Sequence, residues 1–313
     1  MRIRVDFVGG MYGGAKTLVL FANALSSAGV NVVGRGQSPY FPTNFRWKEQ
    51  LNVKADIIVC SALYYTRAMP AKRTIVWHMG PTHGHKLNWG LPKGLIAMAK
   101  FIFPNYAPEG YRDVNFTLIP CLVHPDFKNL KTKRPYDLGF MYWPRRAYKT
   151  QPHFRRYVGY LATRYKICVI GDNPGIPNVP YLGRVTDPVR LVQILNATKM
   201  WVVDNLFESD STMAHEAISC GAKVAAFKSF WTKEICQRFL PGFYELDVTP
   251  ILSPFDILSD PQNEACAKAK INLEALGQGI AEALSDNKIP NATFVHNHSP
   301  KKMAKLFIEN FMP

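Results

Sequence analysis

The sequence predicts an α/β protein built on parallel sheets and divided into two domains. The clearest sign is the stretch Lys199–Ala226. It holds an apolar run (Met200–Val203), a polar turn (Asp204–Ser211), a helix from about Thr212 to Cys220, and a second apolar run (Val224–Phe227). Gly221 stands where a helix C-terminus wants a left-handed backbone. Strand, helix and strand in so short a span make a βαβ unit, which requires parallel strands. A second such unit opens the chain: Ile3–Val8, the glycine-rich turn GGMYGGAKT, a helix over Ala15–Ala28 closed by Gly29, and a strand from Val30. Finally, 313 residues are enough for two domains of about 150 each.

The remaining elements follow in order. Residues 34–54 predict an irregular loop with Pro39, Pro42 and the aromatics Tyr40, Phe41, Phe45 and Trp47. Those rings, beside Arg46 and Lys48, either stack on bases or sugars or pack the loop down. Asp56–Cys60 and Arg73–Trp77 read as buried strands, the second delivering His78 to the carboxyl edge of the sheet. Residues 95–104 form a further helix-to-strand passage. The charged, proline-ended segment Asn129–Pro135 is the natural boundary, giving domains over 1–130 and 131–295 and a terminal helix over 296–313. In the second domain come a strand at Asp137–Tyr142, a helix at Tyr157–Arg164, and a strand at Tyr165–Ile170 that ends in Gly171-Asp172-Asn173. A helix over Asp187–Ala197 leads into the stretch described first. A helix begins at about Thr232, the proline-punctuated Gly242–Gln262 is irregular, and helices cover 263–285 and 299–311. In the last of these Ser299 caps and Pro300 takes the first turn.

Composition is globular: 47% apolar and 12% aromatic. No apolar run approaches the ~20 residues that span a bilayer. The N-terminus enters a charged strand directly, so no signal peptide is expected. Six scattered cysteines lack metal-ligand spacing and read as reduced core thiols of a cytoplasmic protein, in host cytoplasm if viral. The formal charge is +15, and it is uneven: Phe127–Lys166 carries eleven Lys or Arg against one acid, Asp137. Such a patch favours a polyanion: nucleic acid, an acidic membrane surface or a phosphorylated substrate.

Chemistry concentrates at predicted strand ends. Glu208 lies in the loop before a helix, and Glu216 lies eight residues on, inside that helix. A loop carboxylate and a helix carboxylate can reach two ends of one ligand, with the N–H groups of Ser211, Thr212 and Met213 between them suited to a phosphate. The plain alternative is a solvated Glu208 and an ordinary helical Glu216. Gly13-Gly14 let backbone N–H groups approach a phosphate. His78 brings a near-neutral titration and two ring nitrogens. His83 and His85 follow it, but neither spacing nor neighbouring carboxylates support a metal site.

These residues resemble the pattern of retaining glycosyltransferases of the GT-B fold, family 4 in particular. Glu208, seven intervening residues, Glu216, Ala217, Cys220-Gly221 and Val224 match the E-x7-E signature, with Ser209, Asp210 and Ser211 in place of its small glycines. Gly13-Gly14-Ala15 resembles the family's first turn, Phe116–Phe127 its end-of-domain segment, and Tyr181–Val185 its short strand near the nucleotide base. The resemblance implies two Rossmann-like domains facing a central cleft, with a C-terminal helix crossing back to the first. It implies sugar transfer from a nucleotide diphosphate sugar, most naturally a UDP-sugar, to a hydroxyl acceptor, with retention and without metal or other bound cofactor. Glu208 would then face the sugar and Glu216 the ribose, with His78 contacting the sugar. Lys149 and Arg145 (or Arg146) would neutralise the diphosphate, which Gly13-Gly14 seat, and Asp172 would join the donor side. The C-terminal half is also similar to phage glycosyltransferases that decorate hydroxymethylated pyrimidines, which implies double-stranded DNA bound through the patch 128–166. A cell-surface glycan or lipid-linked acceptor, and a non-catalytic nucleic-acid-binding protein of the same fold, are the competing readings.

Overall fold

The βαβ pattern is realised twice in a computed structural model. It describes residues 1–7, 13–36, 39–49, 53–61, 73–78, 96–99, 116–118, 121–144, 153–205, 211–228, 232, 241–249 and 270–312. The chain divides into two compact units, Met1–His124 with Val295–Pro313, and Pro125–Phe294.

In the first unit, β1 (Arg2–Phe7) leads through α1 (Gly13–Ser27) to β2 (Asn31–Gly36). β3 (Arg46–Lys48), β4 (Ile57–Ser61), β5 (Arg73–His78), β6 (Ile96–Ala99) and β7 (Phe116–Leu118) follow. The sheet order is β3-β2-β1-β4-β5-β6-β7, with parallel pairings throughout. This is the doubly wound order, whose reversal point lies between β1 and β4. Gly29 closes α1 with φ +84°, as a C-terminal glycine should. The predicted loop 34–54 instead contains the edge strand β3. Its aromatics pack inward: Phe41 and Phe45 are buried, and Phe45 and Trp47 lie 6.1 and 6.2 Å from the Phe7 ring. Of the two alternatives for those rings, packing wins, because burying them removes far more apolar area from water than an exposed ring could recover.

The second unit runs β8 (Tyr136–Tyr142), α2 (Phe154–Ala162), β9 (Ile167–Gly171), α3 (Pro188–Asn196), β10 (Thr198–Val203), α4 (Thr212–Ser219), β11 (Lys223–Phe227), β12 (Phe243–Leu246) and α5 (Leu273–Ser285). Its order is β12-β11-β10-β8-β9, again parallel. Renumbered within the unit this is 2-1-3-4-5, with the reversal between β8 and β10. β12 lies within a segment that reads as irregular in sequence; four residues at a sheet edge are too short for a period to show. Tyr181–Val185, by contrast, forms only a single bridge, Val169 to Tyr181.

Two cations close helix ends. The Arg134 guanidinium donates to the carbonyls of Leu195, Thr198 and Cys220, at 3.2, 2.6 and 2.6 Å. The Lys223 ammonium donates to the carbonyls of Ala283, Leu284 and Asp286 at the end of α5. Apart from Thr198, the first residue of β10, these are carbonyls at helix C-termini, which lack intrahelical partners. The predicted linker 129–135 is therefore tied into the second unit, and the division falls at His124–Pro125 instead.

The chain then passes through α6 (Thr293–Asn297) into α7 (Pro300–Phe311). α7 packs on α1 of the first unit, where Phe307 is fully buried with its ring 5.1 Å from that of Phe21. Pro300 takes the first turn, and Ser299 holds the cap position without a side-chain cap hydrogen bond.

Candidate active site

Parallel doubly wound sheets bind ligands beyond the carboxyl ends of their strands, at the reversal point. In the second unit that point is the edge where β8 and β10 end. β10 runs Trp201-Val202-Val203, all buried, into Asp204, whose side chain is also buried. Asp204 Oδ2 accepts a hydrogen bond from the Tyr157 hydroxyl of α2. Burial pushes the Asp204 carboxyl up to about 7, against the hydrogen bond from Tyr157, which lowers it. The Tyr157 hydroxyl is pushed well up by the same burial and by the Asp204 charge.

After the loop, Ser211 caps α4, its Oγ accepting from the Ala214 N–H at 3.4 Å. Ser211 is thus the cap, and the first-turn N–H groups belong to Thr212 and Met213. Glu216 lies in the second turn of α4 and is 1% exposed. It stands close enough to Cys220 to raise that thiol, which burial first and the Glu216 charge second push up to about 12. Beside the first turn of α4 is a small recess lined by Val203, Asn205, Ser211, Ala214, Phe227 and Thr232, among others. Glu208 itself lies outside the described residues.

At the ends of β8 and β9, Gly171 has φ +104°, and the Asp172 N–H donates to the Tyr142 carbonyl at 2.8 Å. Asp172 forms an ion pair with Arg184 at 2.6 Å, and the Arg184 guanidinium lies 5.4 Å from the centre of the Trp143 ring. The Asp172 hydrogen bond and charge raise the Arg184 guanidinium further above its ordinary value. Tyr181 donates its hydroxyl proton to the Gly171 carbonyl at 3.0 Å. Asp172 and Arg184 are thus paired with each other, and among the described residues the half-exposed Arg184 beside Trp143 is placed to meet an anion or a ring. Arg145, Arg146 and Lys149 lie outside the described residues.

In the first unit, Gly13 and Gly14 are the first two residues of α1, at the helix start. Two residues later the Lys16 ammonium sits 4.2 Å over the Tyr40 ring. His78 ends β5 as predicted; its side chain, His83 and His85 lie outside the described residues.

The basic window keeps seven exposed cations among the described residues: Lys128, Lys131, Lys133, Arg155, Arg156, Arg164 and Lys166. Arg134 is the exception, engaged with backbone carbonyls. Asp137, the one acid, is held at 2.8 Å by Lys199 from outside the window and accepts from the Lys166 N–H at 2.8 Å inside it. No helix among the described residues is long and apolar enough to cross a membrane, and none of them form a His, Cys, Asp or Glu group that could hold a metal ion.

Sequence reasoning missed Asp204, Tyr157, Trp143 and Arg184. The signal for two of them was their place: Asp204 and Trp143 are the first residues past β10 and β8. The pairing of Tyr157 and Arg184 with them needs the tertiary fold.

Solved structures resemble this arrangement along the whole chain. A sucrose-phosphate synthase from Thermosynechococcus elongatus aligns over 99% of both chains, with 14% identity and a TM-score of 0.59. The chain has the GT-B fold. The WaaG glycosyltransferase involved in lipopolysaccharide biosynthesis covers 100% of this chain and 96% of its own, with 12% identity and a TM-score of 0.61. A T4 phage BGT mutant in complex with UDP-glucose covers 100% of both chains, with 11% identity and a TM-score of 0.50. No family model and no curated protein matches the chain. Two Rossmann-like domains built on parallel sheets account for the GT-B likeness at such low identity, because strand order survives nearly complete change of side chains.

Proposed function

We propose that the protein is a glycosyltransferase that moves a sugar from a nucleotide diphosphate sugar to a hydroxyl acceptor, with retention and without a metal. The observation that carries this reading is the β10–α4 unit: a buried Glu216 on the helix that leaves the reversal point of a parallel sheet. A carboxylate on the inner face of that helix can accept hydrogen bonds from the two hydroxyls of a ribose, as the E-x7-E resemblance implies. The T4 phage structure, of like fold, holds UDP-glucose, which supports a UDP-sugar as donor.

In this reading the acceptor oxygen bonds to the anomeric carbon as the bond to the β-phosphate oxygen breaks. The acceptor proton passes to the departing phosphate. Charge gathers on that leaving group, and Lys149 with Arg145, aided by Arg146 and by the N–H groups of Thr212 and Met213, stabilises it. Glu208 and His78 orient the sugar, and Gly13-Gly14 seat the diphosphate. Arg184 on Trp143 offers a flat cationic face to the nucleotide.

The acceptor we favour is a hydroxymethylated pyrimidine in DNA, supported by the seven exposed cations with Asp137 their one acid. Such a base must leave the stack to be reached. The test is incubation of modified duplex DNA with a panel of nucleotide sugars, read by mass spectrometry, beside a lipid-linked acceptor. Sugar addition to DNA that vanishes in Glu208→Ala, with duplex affinity kept, supports the assignment. Transfer to the lipid-linked acceptor alone refutes the DNA reading, and a normal rate in Glu208→Ala refutes the role of that residue.

A further inference from the structure

Asp204 and Tyr157 do not belong to the E-x7-E pattern, yet they are buried together at its root. Asp204 is the first residue past β10, and it is 4% exposed. Four residues later comes Glu208. Tyr157 lies in α2, which begins five residues after Lys149, and it is fully buried. Its ring is caged by Phe154 and Phe227, each at 5.5 Å, and by Phe140 at 6.2 Å. The hydrogen bond therefore joins the element that follows the cationic segment to the element that precedes the acidic one, across the reversal between β8 and β10. An apolar pair would fill this cage at lower cost than a carboxyl group and a phenol.

We propose that the Tyr157–Asp204 hydrogen bond is a positioning clamp that fixes the segment carrying Glu208 relative to the segment carrying Arg145 and Lys149. The functional half of this statement rests on the glycosyltransferase reading; the clamp itself rests on the geometry. Among the described residues, the groups acting on the pair are the Tyr157 hydroxyl and the Asp204 backbone N–H on the carboxyl, and the Tyr142 hydroxyl of β8 on Tyr157. From β11 it meets the Phe227 ring. Burial raises the carboxyl to about 7 from its ordinary 3.8. Burial favours the neutral carboxyl, the Tyr157 hydrogen bond favours the ionised one, and burial is the larger of the two. As pH rises toward 7, opening the segment to water lets Asp204 ionise, so the clamp weakens over that window and levels off above it.

The experiment is hydrogen exchange of the full chain from pH 5 to 8, corrected for intrinsic rates, following peptides over 204–213 with α5 as reference. In the wild type, corrected exchange over 204–213 rises up to about tenfold per pH unit below 7 and then flattens. In Asp204→Asn it is nearly independent of pH, and in Tyr157→Phe it is faster than wild type at every pH. Exchange over 204–213 in Tyr157→Phe no faster than in the wild type overturns the clamp; an identical slope in Asp204→Asn, or a flat wild-type profile, overturns its pH dependence. A second arm measures UDP release from UDP-glucose with the acceptor found by mass spectrometry. There Tyr157→Phe is expected to lower kcat about tenfold while leaving KM for the donor within twofold. An unchanged kcat despite the faster exchange overturns the functional half and leaves the clamp standing. Absence of turnover in the wild type, with the exchange pattern intact, sinks the glycosyltransferase reading alone.

Discussion

Replacing Gly171 with alanine is the sharpest structural perturbation of the proposed donor edge. Gly171 has φ +104°, where an L side chain costs on the order of 1–3 kcal/mol. A Cβ there would also press on the Tyr142 carbonyl oxygen more closely than any real Cβ contact. That carbonyl is the acceptor for the Asp172 N–H at 2.8 Å. Relieving the clash moves backbone in a packed strand pair, about 1–3 kcal/mol, and weakens a hydrogen bond of about 1 kcal/mol. The sum is about 4 kcal/mol, or a fall in Tm of roughly 10 °C for a unit of this size. Gly175 is the control. It has φ +64°, but the nearest atom to an added Cβ is the Arg155 Nη2 at 3.8 Å, so alanine there should cost only about 1–2 kcal/mol. Urea unfolding of both variants, followed by far-ultraviolet circular dichroism, makes the comparison. Equal losses within about 0.5 kcal/mol would refute the close-approach argument, leaving only backbone conformation at work.

Two further outcomes are expected. Arg134→Met should destabilise the second unit by about 2–3 kcal/mol, since three carbonyls lose a charged donor; urea unfolding checks it, and a loss below about 0.5 kcal/mol would mean that water replaces the guanidinium. Asp204→Asn should remove a pH dependence. The folded-state value of about 7 exceeds the ordinary 3.8. The stability it contributes is therefore full below pH ~4 and lost as pH rises to 7, by about 4 kcal/mol in total. Thermal melts of wild type and variant from pH 4 to 8 should show this as a difference that levels off above pH 7.

Much of the fold was legible because two periods repeat. The β10–α4–β11 unit was placed within two residues at each boundary, since Val202–Val203 and Val224–Phe227 are apolar on both faces and Gly221, at φ +76°, ends the helix as its type requires. β3 and β12 were not legible. Each is an edge strand of three or four residues, Arg46–Lys48 and Phe243–Leu246, whose pairing comes from a neighbour and not from its own pattern. The ties of the 129–135 segment to the second unit were not legible, because Arg134 reads as a surface charge in sequence, while its partners are carbonyls more than 60 residues away. The place of Glu216 on α4 could be read from the sequence; its role is a proposal that comes from the E-x7-E resemblance. Asp204 could not be read as buried, because a polar residue after a strand is an ordinary turn residue until Tyr157 is brought to it.

The central claim is that the carboxyl edge of the second unit binds a nucleoside diphosphate between an acidic and a cationic segment. A crystal structure of the full chain with uridine diphosphate tests it most directly. The account predicts ribose hydroxyls on Glu216, and phosphates between the first turn of α4 and Arg145 and Lys149. Nucleotide bound elsewhere, or bound here with Glu216 still enclosed by protein alone, would contradict it.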